Sequence, residues 1–450
     1  MKKVCLVLLA MGLITVFSTS ALAIDVKFSG SFYAAGLYQD KTTVMKDAAS
    51  DGPSTAFYFQ RLRVKAEFIV SPGLKLVTRF DAMERAWGAS RAVPDTIVMA
   101  DSSGTRAENE NIAFDLAYVS YTSPIGMFDV GYREKGVWGT DFANSAVNQG
   151  MIYWGAYLAP AKTYVWAEIV KVIENSFTNN NNTTYSDLDN NEYLIGATYY
   201  GIKNVEIGVL YDYCRYAAGR NGGAYGPYYG YLSVGHVLEA YTKAKFGRVS
   251  VEAEVDYVFG DWSKMDNSGT GVKDMSLSQL EAYVKAVVDF GPAYAGGVFA
   301  YVQGDDPGTT DKAEAGFITG GRDWNPTLIM FNYDRSNWAG GITGYNSSSI
   351  SGPMTNAWFF QLLAGVKPID KLDIMATVSY ANADKKPSAE WLNNDYGTEV
   401  DLTATYKITN NLTYMLGGGY LFTGKYFKGK SESHELSDDF MVIHKLTLTF

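Results

Sequence analysis

The chain has 450 residues, of which 47% are hydrophobic, 14% aromatic and 19% charged, with 45 Gly, 33 Tyr, only 12 Pro and a formal net charge of −10. An ordinary soluble chain carries about a quarter charged residues, and beyond the N-terminus no apolar run here approaches the ~18 residues of a spanning helix, which excludes a helical-bundle membrane protein. Plentiful aromatic and β-branched residues exclude disorder, and no nucleic-acid partner is expected of a chain with this acidic balance.

The first predicted element is an address. Lys2 and Lys3 precede an apolar stretch from Val4 to Val16, and Ala21-Leu22-Ala23 supplies a small-residue cleavage signal. Residues 1–23 therefore read as a Sec signal peptide removed after Ala23, and residues 24–450 as one exported domain. Cys214 is then the only cysteine left, so no intrachain disulfide is available.

From Ile24 onward, segments of about ten to fourteen residues alternate apolar and polar side chains. In the second segment Leu62, Val64, Ala66, Phe68 and Val70 oppose Arg61, Arg63, Lys65 and Glu67. After Ser71-Pro72-Gly73 the apolar face continues with Leu74, Leu76, Phe80 and Ala82, against Lys75, Arg79 and Asp81. Further on, Val249 to Tyr257 alternates with Ser250, Glu252, Glu254 and Asp256. Leu280 to Val288 alternates with Glu281, Tyr283 and Lys285, and Val400 to Ile408 with Glu399, Asp401 and Lys407. A period of two means strand, with the charges on one face. Many segments are roughly twice the usual five or six residues. Short connections (71–73, 123–126, 370–371, 410–411) alternate with long ones (84–111, 175–191, 305–356, 424–439). The pattern predicts an all-β, transmembrane antiparallel β-barrel with short periplasmic turns and long extracellular loops. Strands are expected near 25–38, 55–70, 74–83, 112–122, 127–133, 151–158, 162–173, 192–200, 204–216, 232–246, 248–260, 278–290, 293–303, 357–367, 371–382, 398–409, 412–423 and 440–450. That makes eighteen, with sixteen as the fallback, because 151–158 and 293–303 have no cleanly apolar face.

The charged face must line a wet interior, since Arg or Lys on the lipid side costs about 2–4 kcal/mol at the midplane, and a barrel of this size leaves an aqueous channel. A three-residue loop at Ser71-Pro72-Gly73 sets Lys65 opposite Arg79 and Arg63 opposite Asp81. Arg61, Arg63, Lys65, Arg79 and Arg133 then form a basic patch roughly 18 Å up the wall. Glu252, Glu254, Asp256, Glu399 and Asp401 form an acidic wall. Either the two sets impose a transverse field on the pore, or they are lumen charges satisfying one another. The constriction candidate is 134–150, where Gly139 permits a sharp turn and Asp141 is placed to face the basic patch. The longest loop, 305–356, has room to cap the mouth, fold inward or meet a neighbour. Tyr164, Trp166, Tyr283 and Tyr301 are read as lumen-facing aromatics.

The last strand carries His444, Leu446, Leu448 and Phe450 on one face, and its terminal aromatic resembles the signal by which the outer-membrane barrel assembly machinery takes its clients. Signal peptide, alternating strands, short turns and Phe450 together resemble Gram-negative porins. The internal segments Gly304-Asp305-Asp306-Pro307, Asp323-Trp324-Asn325-Pro326, Thr355-Asn356-Ala357-Trp358 and Tyr420-Leu421-Phe422-Thr423-Gly424 resemble more narrowly the homotrimeric outer-membrane porins of sulfate-reducing, Desulfovibrio-type bacteria. That resemblance implies a homotrimer in the outer membrane, in contact with lipid and lipopolysaccharide, whose separate barrels pass ions and small hydrophilic solutes by passive diffusion. Gly30, Ala34 and Gly36 offer a smooth outer wall to a partner.

Rival functions are weaker. An enzyme lacks support, because His236, His434 and His444 are the three histidines and have no nucleophile or metal-ligand spacing around them. No cofactor or metal is expected; Asp305, Asp306 and Asp311 lack the rest of a calcium-loop pattern. A TonB-dependent transporter needs a plug domain before the barrel, whereas strands begin at Ile24. A substrate-specific channel for a sugar or oxyanion, and adhesion by the long loops, remain as alternatives.

Overall fold

The computed structural model describes residues 24–47, 50–51, 53–88, 112–175, 187–221, 230–267 and 271–450. The expected signal peptide, most of the 84–111 connection and the middle of the 175–191 connection lie outside them. Eighteen long strands follow one another: β1 (Asp25–Gln39), β2 (Thr55–Ser71), β3 (Leu74–Ala86), β4 (Ile112–Ser123), β5 (Gly126–Lys135), β6 (Val147–Leu158), β7 (Thr163–Ile173), β8 (Asn190–Tyr199) and β9 (Val205–Tyr216). The second half holds β10 (Tyr231–Phe246), β11 (Val249–Met265), β12 (Met275–Asp289), β13 (Ala293–Val302), β14 (Ala357–Ile369), β15 (Leu372–Ala383), β16 (Asp395–Lys407), β17 (Leu412–Thr423) and β18 (Asp439–Thr449). Each pairs antiparallel with its sequence neighbours, and β1 closes the sheet on β18 from Ser31 opposite Thr449 to Gln39 opposite Met441. Backbone hydrogen bonds between Gly30 and Phe450 (2.8 and 3.0 Å) extend the seam. Every expected strand is present, eighteen rather than sixteen.

Closure leaves no sheet edge for lipid to meet, which is the condition for crossing a membrane with strands. Among the described residues no helix is long and apolar enough to cross one. The outer wall carries exposed Leu76, Val130, Ile152, Ile195, Leu362, Leu402 and Leu416. Aromatic side chains flank that band at both ends. Tyr121, Tyr157, Tyr199, Phe246, Phe290 and Tyr406 stand by the short turns, and Tyr58, Phe114, Tyr193, Trp358, Tyr420 and Phe440 by the long connections. An apolar belt between two aromatic girdles is the lipid-facing surface of an outer-membrane barrel. Gly30, Ala34 and Gly36 lie on this outer side of β1, yet Phe450 overlies Gly30, and Tyr58 and His444 overlie Gly36, so side chains fill the expected smooth strip.

The interior is divided. Along β13–β18 and β1 the inner wall is largely apolar, with buried polar anchors such as Gln361 and Glu399, and packs against residues 303–356, which fold into the lumen. Ile329, Met330, Ile342 and Met354 of that connection are fully buried with Phe359 of β14, Leu421 of β17 and Met441 of β18. Gly417 and Gly419 leave β17 flat where Leu328 lies on it, and a Cβ at either would stand 3.2 Å from Leu328. A short helix, α1 (Tyr333–Ala339), is capped by Asn332, whose side chain accepts from the Arg335 N–H. Its Trp338 packs on Phe59 with ring centroids 4.5 Å apart. Along β2–β12 the inner wall keeps its charges.

Candidate functional site

The turn after β2 is tighter than expected but gives the expected register. Ser71 pairs with Leu74 around Pro72-Gly73, with Gly73 at φ +80°, and a register shift one step up restores Arg63 opposite Asp81 and Lys65 opposite Arg79. The basic residues do stand together on the lumen wall, and each is engaged by acid. Arg63 makes a two-pronged pair with Asp81, both contacts at 2.7 Å. Arg79 holds Asp115 through Nε (2.9 Å) and Nη2 (2.6 Å) and also contacts Glu134. Arg61 reaches Glu84 at 3.5 Å, and Lys65 reaches Glu67 at 3.0 Å. Arg133 pairs with Asp129 at 2.9 Å and lies over the Tyr153 ring, 4.1 Å from its centroid.

Two of these acids come from β-bulges. The β3–β4 register shifts beside Arg79, so both Asp115 and Leu116 are buried on the inner side. The β2–β3 register shifts near Arg61, and Met83 takes φ +55°, pointing outward and turning Glu84 in toward Arg61. A bulge re-aims a side chain against the local alternation, so a strict period of two assigns Asp115 and Glu84 to the wrong face.

The expected acidic wall splits into two parts, with four strands of the sheet between them. Glu399 accepts the backbone N–H groups of Ile329 (2.6 Å) and Met330 (2.8 Å), and Asp401 accepts the Thr377 hydroxyl at 3.1 Å. That part anchors the long inward connection. Glu252, Glu254 and Asp256 of β11 line the other part, where Glu252 stands 3.9 Å from Lys285.

Residues 136–146 also turn into the lumen, with Gly139 at φ +80°. The Thr140 N–H donates to Glu254 at 2.6 Å, which sets the neighbouring exposed Asp141 on the acidic side rather than against the arginines. Trp138 packs edge-on against Tyr241, at 4.6 Å between centroids, and Phe142 stacks on Tyr283 at 5.1 Å. Tyr283 is thus covered rather than offered to solute. Tyr164 and Trp166 do face inward, whereas Tyr301 packs at a tilt against Trp358 on the outer wall, ring centroids 4.2 Å apart, contrary to expectation. The two inward segments are stitched together by Ala143 N–H to Gly320 O (3.0 Å) and Asp323 N–H to Asn144 O (3.0 Å). A Cβ at Gly139 would stand 2.5 Å from Glu254 Oε2 and 2.7 Å from Glu239 Oε1. Gly139→Ala is therefore expected to displace this segment, at about 1–2 kcal/mol for the left-handed backbone alone. Faster proteolysis between 136 and 146 in the folded barrel is the measurement, and unchanged cleavage would contradict it.

Between the segment 136–146 and strands β5–β11 a cavity of about 390 Å³ remains, lined by Arg133, Lys135, Trp138, Trp166, Glu192 and Asp212 among others. Lys135 contacts Glu192 and stands 3.8 Å from Asp212. The histidines are remote from it and from one another. His236 stacks on Phe259 (5.0 Å), His444 lies beside Tyr58 (5.8 Å) and Tyr414 (5.9 Å), and His434 stacks on Tyr345 (3.8 Å) in a loop. Asp306 accepts the Gly308 N–H and pairs with Lys385 at 3.4 Å; these contacts, the first above all, hold its carboxyl below the usual range.

No protein-family model matches the chain, and no curated protein sequence matches it. Solved structures do. OccAB2 of Acinetobacter baumannii is 10% identical over 94% of this chain and 98% of its own, at a TM-score of 0.53. OccK9 (OpdG) of Pseudomonas aeruginosa is 12% identical over 95% and 99%, at 0.51. OpdK of the same organism, solved with vanillate, is 10% identical over 94% and 99%, at 0.50. The chain has the fold of an outer-membrane barrel. The likeness runs the length of both chains.

Proposed function

We propose that the protein is an outer-membrane porin, a water-filled channel for passive diffusion of ions and small hydrophilic solutes. The observation that carries this reading is the asymmetric lumen: a closed eighteen-strand wall, apolar outside, encloses a charged cavity beside two inward segments. A wall of this strand number is wide enough for water once its loops are accommodated. The paired ladder from Arg61 to Arg133 and the carboxylates of β11 give the passage two differently charged sides, so the constriction belongs between residues 136–146 and the β2–β7 wall. Export by the signal peptide at 1–23, recognition of Phe450 during assembly, and a trimer of Desulfovibrio-porin type complete the proposal. Support for the trimer comes from the four internal motifs and from β4, whose one charged residue, Asp115, faces inward. A non-enzymatic role agrees with the scattered histidines.

A selective channel is the second reading, favoured by one feature: Arg133, Tyr153, Trp138 and Trp166 place cationic and aromatic surfaces around one cavity. Planar-bilayer recording separates the two. Conductance linear in salt supports diffusion, saturation by one solute supports selectivity, and no conductance at all removes both. In the Arg133→Gln, Lys135→Gln variant the reversal potential across a tenfold salt gradient should move toward cation preference by on the order of 10 mV. An unchanged potential would put the cavity off the ion path.

A further inference from the structure

The acidic residues of β10, β11 and β12 have no partners to match their number. Glu239 lies directly opposite Asp256, and Asp256 directly opposite Glu281, so three carboxylates occupy one rung across three adjacent strands. Glu254 joins them from two residues along β11, and Glu239, Glu254 and Asp256 each present an oxygen within 4.8 Å of the others. Cross-strand neighbours of like charge repel, their Cβ atoms being only about 4.5–5.5 Å apart. Burial sharpens the problem: Asp256 is 2% exposed, Glu254 4% and Glu281 0%.

Hydrogen bonding relieves it only in part, through the Thr140 N–H to Glu254 at 2.6 Å and Gln279 Nε2 to Glu281 at 3.5 Å. Neither carboxylate oxygen of Asp256 has a partner, and one buried oxygen on each of Glu239, Glu254 and Glu281 is likewise without one. Among the described residues no Lys or Arg forms an ion pair with Glu239, Asp256 or Glu281. Lys243, the nearest basic side chain along β10, lies over the Tyr241 ring at 5.8 Å. Along β2–β9 buried acid is matched by base, as Asp115 is by Arg79, and Glu399 and Asp401 of β16 are held by hydrogen-bond donors, so the β10–β12 group stands out as an unmatched set. Buried charge persists only when paired or bound to a metal ion.

We propose that Glu239, Glu254 and Asp256, flanked by Glu281 on the same rung, form a binding site for a hard divalent cation of the calcium type. All the donors are carboxylate oxygens, which suit calcium and offer nothing to a soft metal. The irregular set, contributed by two strands and flanked by a third, suits an ion that tolerates variable coordination. Because Glu254 also accepts the Thr140 N–H, the bound ion neutralises the wall on which residues 136–146 rest. The site stands on the geometry of the wall, independently of whether the lumen conducts.

Terbium luminescence, sensitised by the aromatic side chains around Trp138, tests the site on the intact folded barrel in detergent. Wild-type protein should give a saturable signal that calcium displaces at roughly 0.1–1 mM, the range of extracellular calcium-binding modules. Asp256→Asn combined with Glu281→Gln should weaken calcium competition at least tenfold, with folding verified by heat-modifiable gel mobility. Absence of a calcium-displaced signal in the wild-type barrel would overturn the proposal without recourse to any variant. Equal competition in the folded double variant would overturn it too. Failure here alongside normal conductance would leave the channel reading untouched, and a calcium-binding barrel without conductance would do the reverse.

Discussion

Excising residues 323–352 and joining the ends by a short Gly-Ser linker is expected to raise single-channel conductance roughly twofold or more, since conductance follows the open cross-section. The cut is geometrically mild because the Gly320 N–H already donates to Met354 O at 2.9 Å, so the retained ends are adjacent. It removes Trp324, Ile329, Met330 and α1 from the lumen. The β-ladder is untouched, so the barrel should still close. It should nevertheless be less stable, because Phe59, Phe359 and Leu421 would face water, each losing about 1.5–3 kcal/mol of burial at most. Unchanged conductance in a folded excision variant would show that this segment lies outside the conducting path. A milder counterpart is Glu399→Gln. It weakens the charge-assisted hydrogen bonds to Ile329 and Met330 and should add flicker to the current rather than a larger steady value.

Arg79→Ala is expected to cost about 3–5 kcal/mol in barrel stability, the usual penalty for stripping one partner from a buried ion pair. Asp115 is 1% exposed and Arg79 8%, so the abandoned carboxylate has little access to water. Adding Asp115→Asn should restore most of the loss, because no charge is then left buried alone. Urea unfolding of barrels in lipid vesicles reads both variants; equal midpoints for the single and double variants would mean that lumen water solvates Asp115 freely. Arg63 limits the single-variant effect, since it stands 3.7 Å from Asp115 and shares the compensation.

Alternation along the chain carried the architecture well because lipid enforces it on the outer face. Eighteen segments appear where the pattern places them, and the pairing of Arg63 with Asp81 follows from parity across one turn. The inner face has no such enforcement. β6 and β13 lacked a clear split because their inner residues are apolar, Met151 and Tyr153 in one and Val298, Ala300 and Val302 in the other. In β13 this inverted the expected direction of Tyr301. The acids Asp115 and Glu84 escaped the basic patch because bulges broke the count of two. Asp141 went to the other side because Thr140 is bound to Glu254, a contact 114 positions away in sequence. The rung formed by Glu239, Asp256 and Glu281 depends on register across two turns, which period alone does not supply.

The long inward segment touches strands from both ends of the chain. Arg335 donates to the side chain of Gln39 on β1 at 3.0 Å, and Gln39 donates to Asp439 on β18 at 2.8 Å. That network lies just inside the seam where the first and last strands meet, and Trp338 reaches β2 beyond it. The part of the docking surface that α1 uses is complete only when β18 has paired with β1. Packing of α1 is therefore expected to follow closure of the seam. Once docked, it works as an internal latch, because parting the seam would require dismantling the lumen core as well as the hydrogen bonds between two strands.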